Sequence, residues 1–181
     1  KRLTGVGVLI ALVFSAMAQD QLRQWALGPF IRPAGDNPDI VPDAQTLFFD
    51  PMSRKKLAWE AGDVFNPAAV VRNNKIFVLY RAEDRSGMGI GKRTSRLGLA
   101  ESHNGVAMKK SPVPVFYPAE DSQKDNEWPG GCEDPRIAVT AEGLYVMLYT
   151  QWNRKVARLA VATSRDLVNW SKHGPAFAKA Y

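Results

Sequence analysis

An internal repeat that begins near Asp63 constrains this chain more than any other feature. The two copies match segment by segment and in the same order. In the alignment of the two copies, residues 66–71 correspond to 134–139, residues 75–80 to 144–149, residues 98–102 to 160–164, and residues 114–116 to 175–177. Because apolar runs alternate with turn residues, each copy predicts a strand, a turn, a strand, a loop, a strand, a turn and a short strand.

Repeated four-stranded units favour a β-propeller, in which each unit is a blade that packs against its neighbours. We therefore expect an all-β fold in which residues 64–181 form the first two blades. Two blades cannot close a ring, so the prediction is an incomplete propeller domain and the N-terminal part of a longer protein. A β-sandwich is the alternative, less favoured because the similarity runs through whole four-strand units.

The region before the repeat, residues 19–63, is rich in Pro and Asp and has no sustained periodicity. Such a segment predicts an N-terminal arm of extended chain and short turns, without a helix of its own. The apolar residues at 47–49 and 57–59 are its expected buried anchors.

Residues 1–18 have the pattern of a secretory signal peptide. Lys1 and Arg2 precede an apolar run at 3–14, and the small residues at 15–18 supply a cleavage site. The run is shorter than the roughly 20 apolar residues of a membrane span. We expect cleavage before Gln19, no membrane span afterwards, and export to a bacterial periplasm or the cell surface. An uncleaved membrane anchor is the alternative.

Charge and residue types exclude several classes of function. The net charge is +6, but the basic residues are scattered, which indicates a solvated surface and no nucleic-acid partner. His103, His173 and Cys132 are too few for a zinc cluster, so we expect no metal and no cofactor. Cys132 is expected to be a small packed side chain. The glycine-rich stretch 87–91 lacks the Lys-Ser/Thr pair and the helix of a phosphate loop.

The stretch 128–136 (Trp-Pro-Gly-Gly-Cys-Glu-Asp-Pro-Arg) concentrates acidic groups and backbone constraint. Its two glycines permit positive φ or close backbone approach. Pro135 is expected to hold Asp134 in an extended conformation, and in a strand Asp134 would share a face with Arg136. A carboxylate beside a fixed cation suits a site for sugar or phosphate; a surface turn with an ion pair is the alternative.

The repeat places Asn66 and Asp134 at equivalent blade entries, so both are expected to face a shared pocket. Arg81 and Glu83 follow an apolar run and alternate onto one face. Arg96, at the start of the third strand, brings a second guanidinium. Asn153, which follows Trp152, could place an amide and an aromatic ring over a sugar.

Five motifs carry a resemblance to a known family. In chain order they are Phe65-Asn66-Pro67-Ala68, Leu79-Tyr80-Arg81-Ala82-Glu83, Ser95-Arg96-Leu97-Gly98-Leu99-Ala100, Gly130-Gly131-Cys132-Glu133-Asp134-Pro135-Arg136 and Asp166-Leu167-Val168-Asn169-Trp170. Together they resemble glycoside hydrolase family 130, which contains β-mannoside phosphorylases and β-1,2-mannosidases on a five-bladed β-propeller. Asn104-Gly105 departs from the expected Asp-Gly turn but serves the same backbone geometry.

The resemblance implies an inverting attack on a β-mannosidic bond, with Asp134 as the general acid. The attacking group is inorganic phosphate in phosphorylases and water in hydrolases. The substrate would be a β-mannoside oligosaccharide or glycan. By position, the mannose-binding residues are Asn66, Arg81 and Arg96, together with Glu83 and Asn153.

Two features favour hydrolysis. Trp152 stands where the family's phosphorylases are expected to have a basic phosphate ligand, and export removes the enzyme from cytoplasmic phosphate. The prediction is thus an exported β-1,2-mannosidase-like enzyme. A β-mannoside phosphorylase and a non-catalytic carbohydrate-binding protein are the alternatives.

Overall fold

The computed structural model describes residues 31–32, 34–35, 39–89 and 91–179. The chain divides into two compact units, 1–37 and 38–181, and every element named below belongs to the second. The predicted signal peptide at 1–18 lies outside the described residues, as does the start of the predicted arm. Within the described ranges, no helix has the length and hydropathy needed to cross a bilayer.

The arm contains a β-hairpin, which the sequence prediction missed. Strand β1 (Asp43–Asp50) pairs antiparallel with β2 (Lys55–Glu60). Asp50 closes the turn between them, because its Oδ2 accepts a hydrogen bond from the Ser53 amide at 2.8 Å. Of the expected anchors, Phe48 and Trp59 are buried, whereas Leu47 and Phe49 are exposed. The pleat of a strand explains this difference, since neighbouring side chains point to opposite faces.

The predicted repeat is confirmed as two four-stranded antiparallel sheets, with one short helix between them, but the fourth strand of each sheet begins earlier than its predicted position at 114–116 or 175–177. The first repeat contains β3 (Val64–Arg72), β4 (Lys75–Glu83), β5 (Ser95–Ser102) and β6 (Lys109–Lys110). After helix α1 (Lys124–Glu127), the second repeat contains β7 (Gly131–Val139), β8 (Tyr145–Trp152), β9 (Ala157–Ser164) and β10 (Trp170–Pro175). The sheets join where Ser95 of β5 pairs in parallel with Gly131 of β7.

The repeat extends to individual hydrogen bonds in the turn after the third strand. In the first repeat, the Ser102 hydroxyl accepts from the amides of Asn104 and Gly105. In the second, the Ser164 hydroxyl accepts from the amides of Asp166 and Leu167. Asn104 Oδ1 and Asp166 Oδ1 each cap two further amides. The Asn104 amide and the Asp166 carboxylate therefore accept equivalent backbone hydrogen bonds in this turn.

Two apolar clusters lie on opposite faces of the first repeat. One joins it to the hairpin and contains Phe48, Trp59, Val78, Tyr80, Ala82 and Ala100. The other joins it to the second repeat and contains Val70, Leu79, Leu97, Phe116, Cys132, Tyr145, Met147, Tyr149, Ala160, Ala162 and Leu167. Neighbouring residues of β4, such as Val78 and Leu79, enter different clusters because their side chains alternate between faces. The sheets therefore stack face to face, and Cys132 is a buried core residue.

A buried glutamate precedes the first strand of each repeat and makes the same contacts in both. Glu60 accepts a hydrogen bond from the Tyr80 hydroxyl at 2.9 Å and pairs with Lys110 at 3.0 Å. Glu127 accepts from the Tyr149 hydroxyl at 2.7 Å and pairs with Lys172 at 2.5 Å. These contacts hold the chain where it enters β3 and β7, the strands that supply the candidate site.

Candidate active site

Asn66 and Asp134, predicted to share a pocket, are hydrogen-bonded to each other. Asn66 Nδ2 donates to Asp134 Oδ1 at 2.9 Å. Both residues have positive φ, +47° for Asn66 and +51° for Asp134, and strand pairing is interrupted at each. The expectation that Pro135 keeps Asp134 extended is therefore wrong. Asn and Asp tolerate left-handed backbone, and the proline that follows each has no N–H to give to a ladder.

Arg81 is the cation at the centre of the site and is only 5% exposed. Its Nη1 donates to Asp134 Oδ1 at 3.1 Å, and its Nη2 lies 2.6 Å from Glu83 Oε1. The Phe65 ring covers one face of the guanidinium at 4.5 Å. The predicted residues Asn66, Arg81, Glu83 and Asp134 are therefore brought together. The expected neighbour Arg136 is instead exposed and donates to the carbonyl of Pro135.

Glu133 and Ser95 complete the cluster and were not identified as site residues from the sequence. Glu133 Oε1 lies 2.8 Å from Arg81 Nη2 and accepts from the Ser95 hydroxyl at 3.0 Å. Burial raises the pKa of Glu133, and the charges of Asp134 and Glu83 add to this, although Arg81 and Ser95 oppose it. In the antiparallel pairing of β4 and β5, Ser95 lies opposite Glu83. The hairpin predicted from the sequence could therefore have indicated that Ser95 lies at the site.

Gly130 and Gly131, in the stretch 128–136, allow the two repeats to approach closely at the site. Gly131 has a φ of +119°, and a Cβ there would lie 2.2 Å from the Ser95 carbonyl oxygen. The Ser95 amide donates to the Gly130 carbonyl at 2.8 Å, and the Thr94 hydroxyl donates to the Pro129 carbonyl at 2.9 Å. Only glycine fits between these backbones, and this approach brings Ser95 to Glu133.

Arg96 does not join this cluster. It is fully buried, and its guanidinium pairs with Asp50 and Asp84, each at 2.9 Å. Burial acts to raise the pKa of Asp84, but Arg96 and hydrogen bonds from Ser86 outweigh it and hold that pKa below its ordinary value. In this structure Arg96 connects the hairpin to the first repeat.

Asn153 lies outside the cluster around Arg81, in a separate surface hollow. Its Nδ2 donates to the Asp125 carbonyl at 2.9 Å, and its Oδ1 accepts from the amides of Lys155 and Val156. The hollow has a volume of about 320 Å³ and also contains Trp128. The structure therefore does not bring Asn153 into contact with Asp134.

The geometry around Asp134 suits proton donation. Its side chain is 36% exposed, so a ligand can reach it. Among the residues that the structure describes, hydrogen bonds to this carboxyl fall on Oδ1 alone, from Asn66 and Arg81. A proton on Oδ2 would therefore face outward while Oδ1 is held in place. Such a carboxyl can act as a general acid.

Solved structures of bacterial carbohydrate-active proteins resemble this chain closely. A glycosyl hydrolase from Bacteroides ovatus is 63% identical, with a TM-score of 0.84 over 87% of this chain and 44% of that one. A second structure is 65% identical, with a TM-score of 0.83 and the same coverage. That structure comes from work on glycoside hydrolases within the GH130 family of mannoside phosphorylases, which target β-1,2-mannosidic linkages in Candida mannan. The fold and these matches relate the chain to bacterial glycoside hydrolases.

The particular family follows from the sequence comparisons. The glycoside hydrolase family 130 model, described as β-1,4-mannooligosaccharide phosphorylase, matches residues 45–180. A 1,2-β-oligomannan phosphorylase from Thermoanaerobacter sp. (strain X514) is 33% identical over 143 residues, which are 77% of this chain and 43% of that protein. The chain belongs to glycoside hydrolase family 130. It spans less than half the length of the relatives it matches.

Proposed function

We propose that the protein is an exported glycosidase that cleaves β-mannosidic linkages with inversion, with Asp134 as the general acid. The observation that carries the proposal is the Asp134 carboxyl, held at Oδ1 by Asn66 and Arg81 and open to a ligand on its other side. In an inverting glycosidase, one carboxylic acid protonates the leaving oxygen while a second carboxylate activates water on the opposite face of the sugar.

The same cluster offers groups for binding the sugar. Exposed Asn66 can donate a hydrogen bond to a sugar hydroxyl from the Nδ2 hydrogen that does not bind Asp134. Arg81 and Glu83 lie behind the carboxyl and hold its position. Asn153 would act from the rim beside Trp128. Arg96, with both of its carboxylate partners inside the protein, would support the site from the core.

Hydrolysis is favoured over phosphorolysis by two observations. The chain is 65% identical to the structure described in terms of β-1,2-mannosidic glycoside hydrolases, against 33% for the oligomannan phosphorylase. In addition, Trp152 occupies the position where a basic phosphate ligand is expected, and its indole donates to the Gly91 carbonyl at 3.3 Å. A β-mannoside phosphorylase is the second candidate, because the match to the 1,2-β-oligomannan phosphorylase extends over 77% of this chain.

We also propose that the complete domain is a five-bladed β-propeller. The support is the equivalence of the two repeats. Leu79 and Leu97 are fully buried against the second repeat, whereas their counterparts Leu148 and Leu159 are 39% and 41% exposed. A further four-stranded blade would cover these counterparts in the way that the second repeat covers the first.

The proposed function is tested by supplying β-1,2-mannobiose to the full-length protein, with and without inorganic phosphate. We expect mannose in both cases, and release of the α-anomer first because the reaction inverts. Asp134→Asn should reduce the rate by at least about a hundredfold, since the leaving oxygen loses its proton donor. Formation of mannose 1-phosphate would identify a phosphorylase. Binding without turnover would identify a carbohydrate-binding protein.

Export is proposed from residues 1–18, whose charged start and apolar run resemble a signal peptide. Expression in a bacterial host with fractionation of the periplasm tests it. A mature chain that begins at Gln19 in the periplasmic fraction is the expected result, and an intact N-terminus in the cytoplasm would contradict it.

A further inference from the structure

A surface hollow lies between helix α1 and the turn that follows β8, and we call it the Trp128 hollow. It has a volume of about 320 Å³, and its lining includes Trp128, Asp125, Asn153 and Lys155. Trp128 precedes Asp134 by six residues, so their Cα atoms are at most about 20 Å apart. An oligosaccharide that has its reacting bond at Asp134 can therefore extend a further sugar towards this hollow.

Hydrogen bonds fix the walls of the Trp128 hollow. Asn153 Nδ2 donates to the Asp125 carbonyl at 2.9 Å, and Asn153 Oδ1 accepts from the Lys155 amide at 3.1 Å. One side chain thus connects α1 to the turn after β8. The Trp128 amide donates to the Lys124 carbonyl at 2.8 Å, which holds Trp128 at the end of α1. A hollow that is already formed loses little conformational entropy when a ligand binds.

The polar side chains of the hollow are available to a ligand. Within the part of the chain that the structure describes, the Asp125 carboxylate, the Lys155 ammonium and the Trp128 indole N–H have no hydrogen-bond or ion-pair partner. Asn153 Nδ2 carries a second hydrogen besides the one that it donates to the Asp125 carbonyl. The hollow therefore offers one acceptor group and three donor groups around an aromatic side chain.

This set of groups fits a sugar better than an ion. A sugar ring has C–H groups on its faces, which pack against an aromatic ring, and hydroxyls at its edge, which both donate and accept. The Asp125 carboxylate would repel an anion and the Lys155 ammonium would repel a cation, whereas a neutral hydroxyl binds to either group. The lining of the hollow therefore favours a neutral ligand that carries several hydroxyls.

We propose that the Trp128 hollow is a distal subsite, which binds a further sugar of the substrate chain beyond the two that flank the bond cleaved at Asp134. This inference rests on the proposed function, because it takes the cleaved bond to lie at Asp134. Binding energy from a sugar remote from the reacting bond raises kcat/KM for substrates that are long enough to reach the subsite. The enzyme should therefore prefer longer β-mannosides to a disaccharide.

The test compares β-1,2-mannobiose with β-1,2-mannotetraose as substrates of the full-length protein. We expect the wild-type kcat/KM to be at least about tenfold higher for the tetrasaccharide. Lys155→Ala and Asp125→Ala should each reduce this ratio about threefold to tenfold, since each removes a charged hydrogen-bonding group. Equal kcat/KM values for the two substrates in the wild type, or an unchanged ratio in both variants, would overturn the proposal.

A matched control excludes a general effect of removing a surface charge. Lys56 is an exposed lysine of strand β2, and Lys56→Ala should keep the wild-type ratio. Lys155 and Asp125 are exposed as well, so their variants should match the control in stability to urea. A fall in the ratio for Lys56→Ala as large as that for Lys155→Ala would contradict the proposal.

A binding measurement separates this inference from the proposed function. The indole N–H signal of Trp128, assigned by its loss in Trp128→Phe, can be followed by NMR in full-length Asp134→Asn. We expect it to shift with mannotetraose and to stay in place with mannobiose. No shift with the tetrasaccharide, or an equal shift with the disaccharide, would overturn the inference. If the wild type releases neither mannose nor mannose 1-phosphate, the proposed function fails, and the NMR result still decides whether the hollow binds sugar.

Discussion

The change from an amide to a carboxylate at one repeated position gives the site its chemistry. Asn66 and Asp134 have the same place in the two repeats, the same left-handed backbone and the same following proline. The amide donates its hydrogen bond to the carboxylate, so only Asp134 can hold and release a proton. Duplication of a strand entry thus places an amide from one copy beside a carboxylate from the other.

Arg81 and Arg96 are both buried, yet their surroundings differ. Arg81 contacts Asp134, whose side chain is partly exposed, whereas both carboxylate partners of Arg96 are enclosed in the protein. The first can respond to a ligand. The second serves to hold the hairpin that carries Asp50 against the first repeat.

We predict that Arg96→Gln destabilises the protein by about 3–5 kcal/mol, because it leaves Asp50 and Asp84 buried without their cation. Urea unfolding at pH 7 measures the change. Lys75→Gln, which breaks the half-exposed pair with Glu101, is the control and should cost less than about 1 kcal/mol. A loss of sugar affinity in Arg96→Gln without a loss of stability would instead support direct binding by Arg96.

The same variant has an expected pH dependence. The pKa of Asp84 is depressed in the folded state, so its contribution to stability is present above the ordinary unfolded value of about 3.9 and is lost as pH falls through the lower folded value. The stability difference between wild type and Arg96→Gln should therefore shrink below about pH 4. A difference that stays constant down to pH 2 would contradict this account.

At the scale of elements, the junction of β5 and β7 positions the site. The two sheets are hydrogen-bonded to each other at Ser95 and Gly131, and the motif around Gly131 carries both Glu133 and Asp134. A small shift at this junction would move both acids relative to Arg81. The glycine pair is therefore as much a part of the site as the charged residues.

We predict that Gly131→Ala destabilises the protein by about 3 kcal/mol or more and weakens activity, because the new Cβ would meet the Ser95 backbone at 2.2–2.4 Å. Gly143→Ala is the matched control. Gly143 also has positive φ, at +75°, but nothing lies within 4 Å of the added Cβ. It should cost only the backbone strain, about 1 kcal/mol, and should leave activity unchanged. Equal costs, measured by denaturant unfolding, would mean that the close approach is not essential.

For the whole molecule, the sequence predicted the features that depend on pattern. The repeat located the first three strands of each sheet, but it placed the fourth strands at 114–116 and 175–177, whereas they are Lys109–Lys110 and Trp170–Pro175. The equivalence of Asn66 and Asp134 predicted that the two residues lie together. The pairing of Arg81 with Glu83 followed from strand alternation. These features depend on local periodicity and on symmetry between the copies.

The features that the sequence did not predict depend on contacts between distant segments. Arg96 has the same motif context as a site residue, but Asp50 from the hairpin encloses it. Asp134 adopts a left-handed backbone because the pairing of β7 is interrupted there, which a local rule for residues before proline does not include. The hairpin itself was obscured by three consecutive apolar residues at 47–49, which conceal the alternation of a strand.

The stacking of repeats leads to a prediction about the whole molecule. Leu79 and Leu148 occupy equivalent positions, but only Leu79 has a sheet packed on it. In the 181-residue chain, Leu79→Ala should cost about 2–5 kcal/mol, whereas Leu148→Ala should cost less than about 1 kcal/mol, because little apolar contact is lost there. Denaturant unfolding of both variants measures the difference. In a chain that contains a further blade, Leu148→Ala should become as costly as Leu79→Ala, since the new sheet would cover it. Equal costs in the 181-residue chain, or an unchanged low cost for Leu148→Ala in the longer one, would contradict the propeller arrangement.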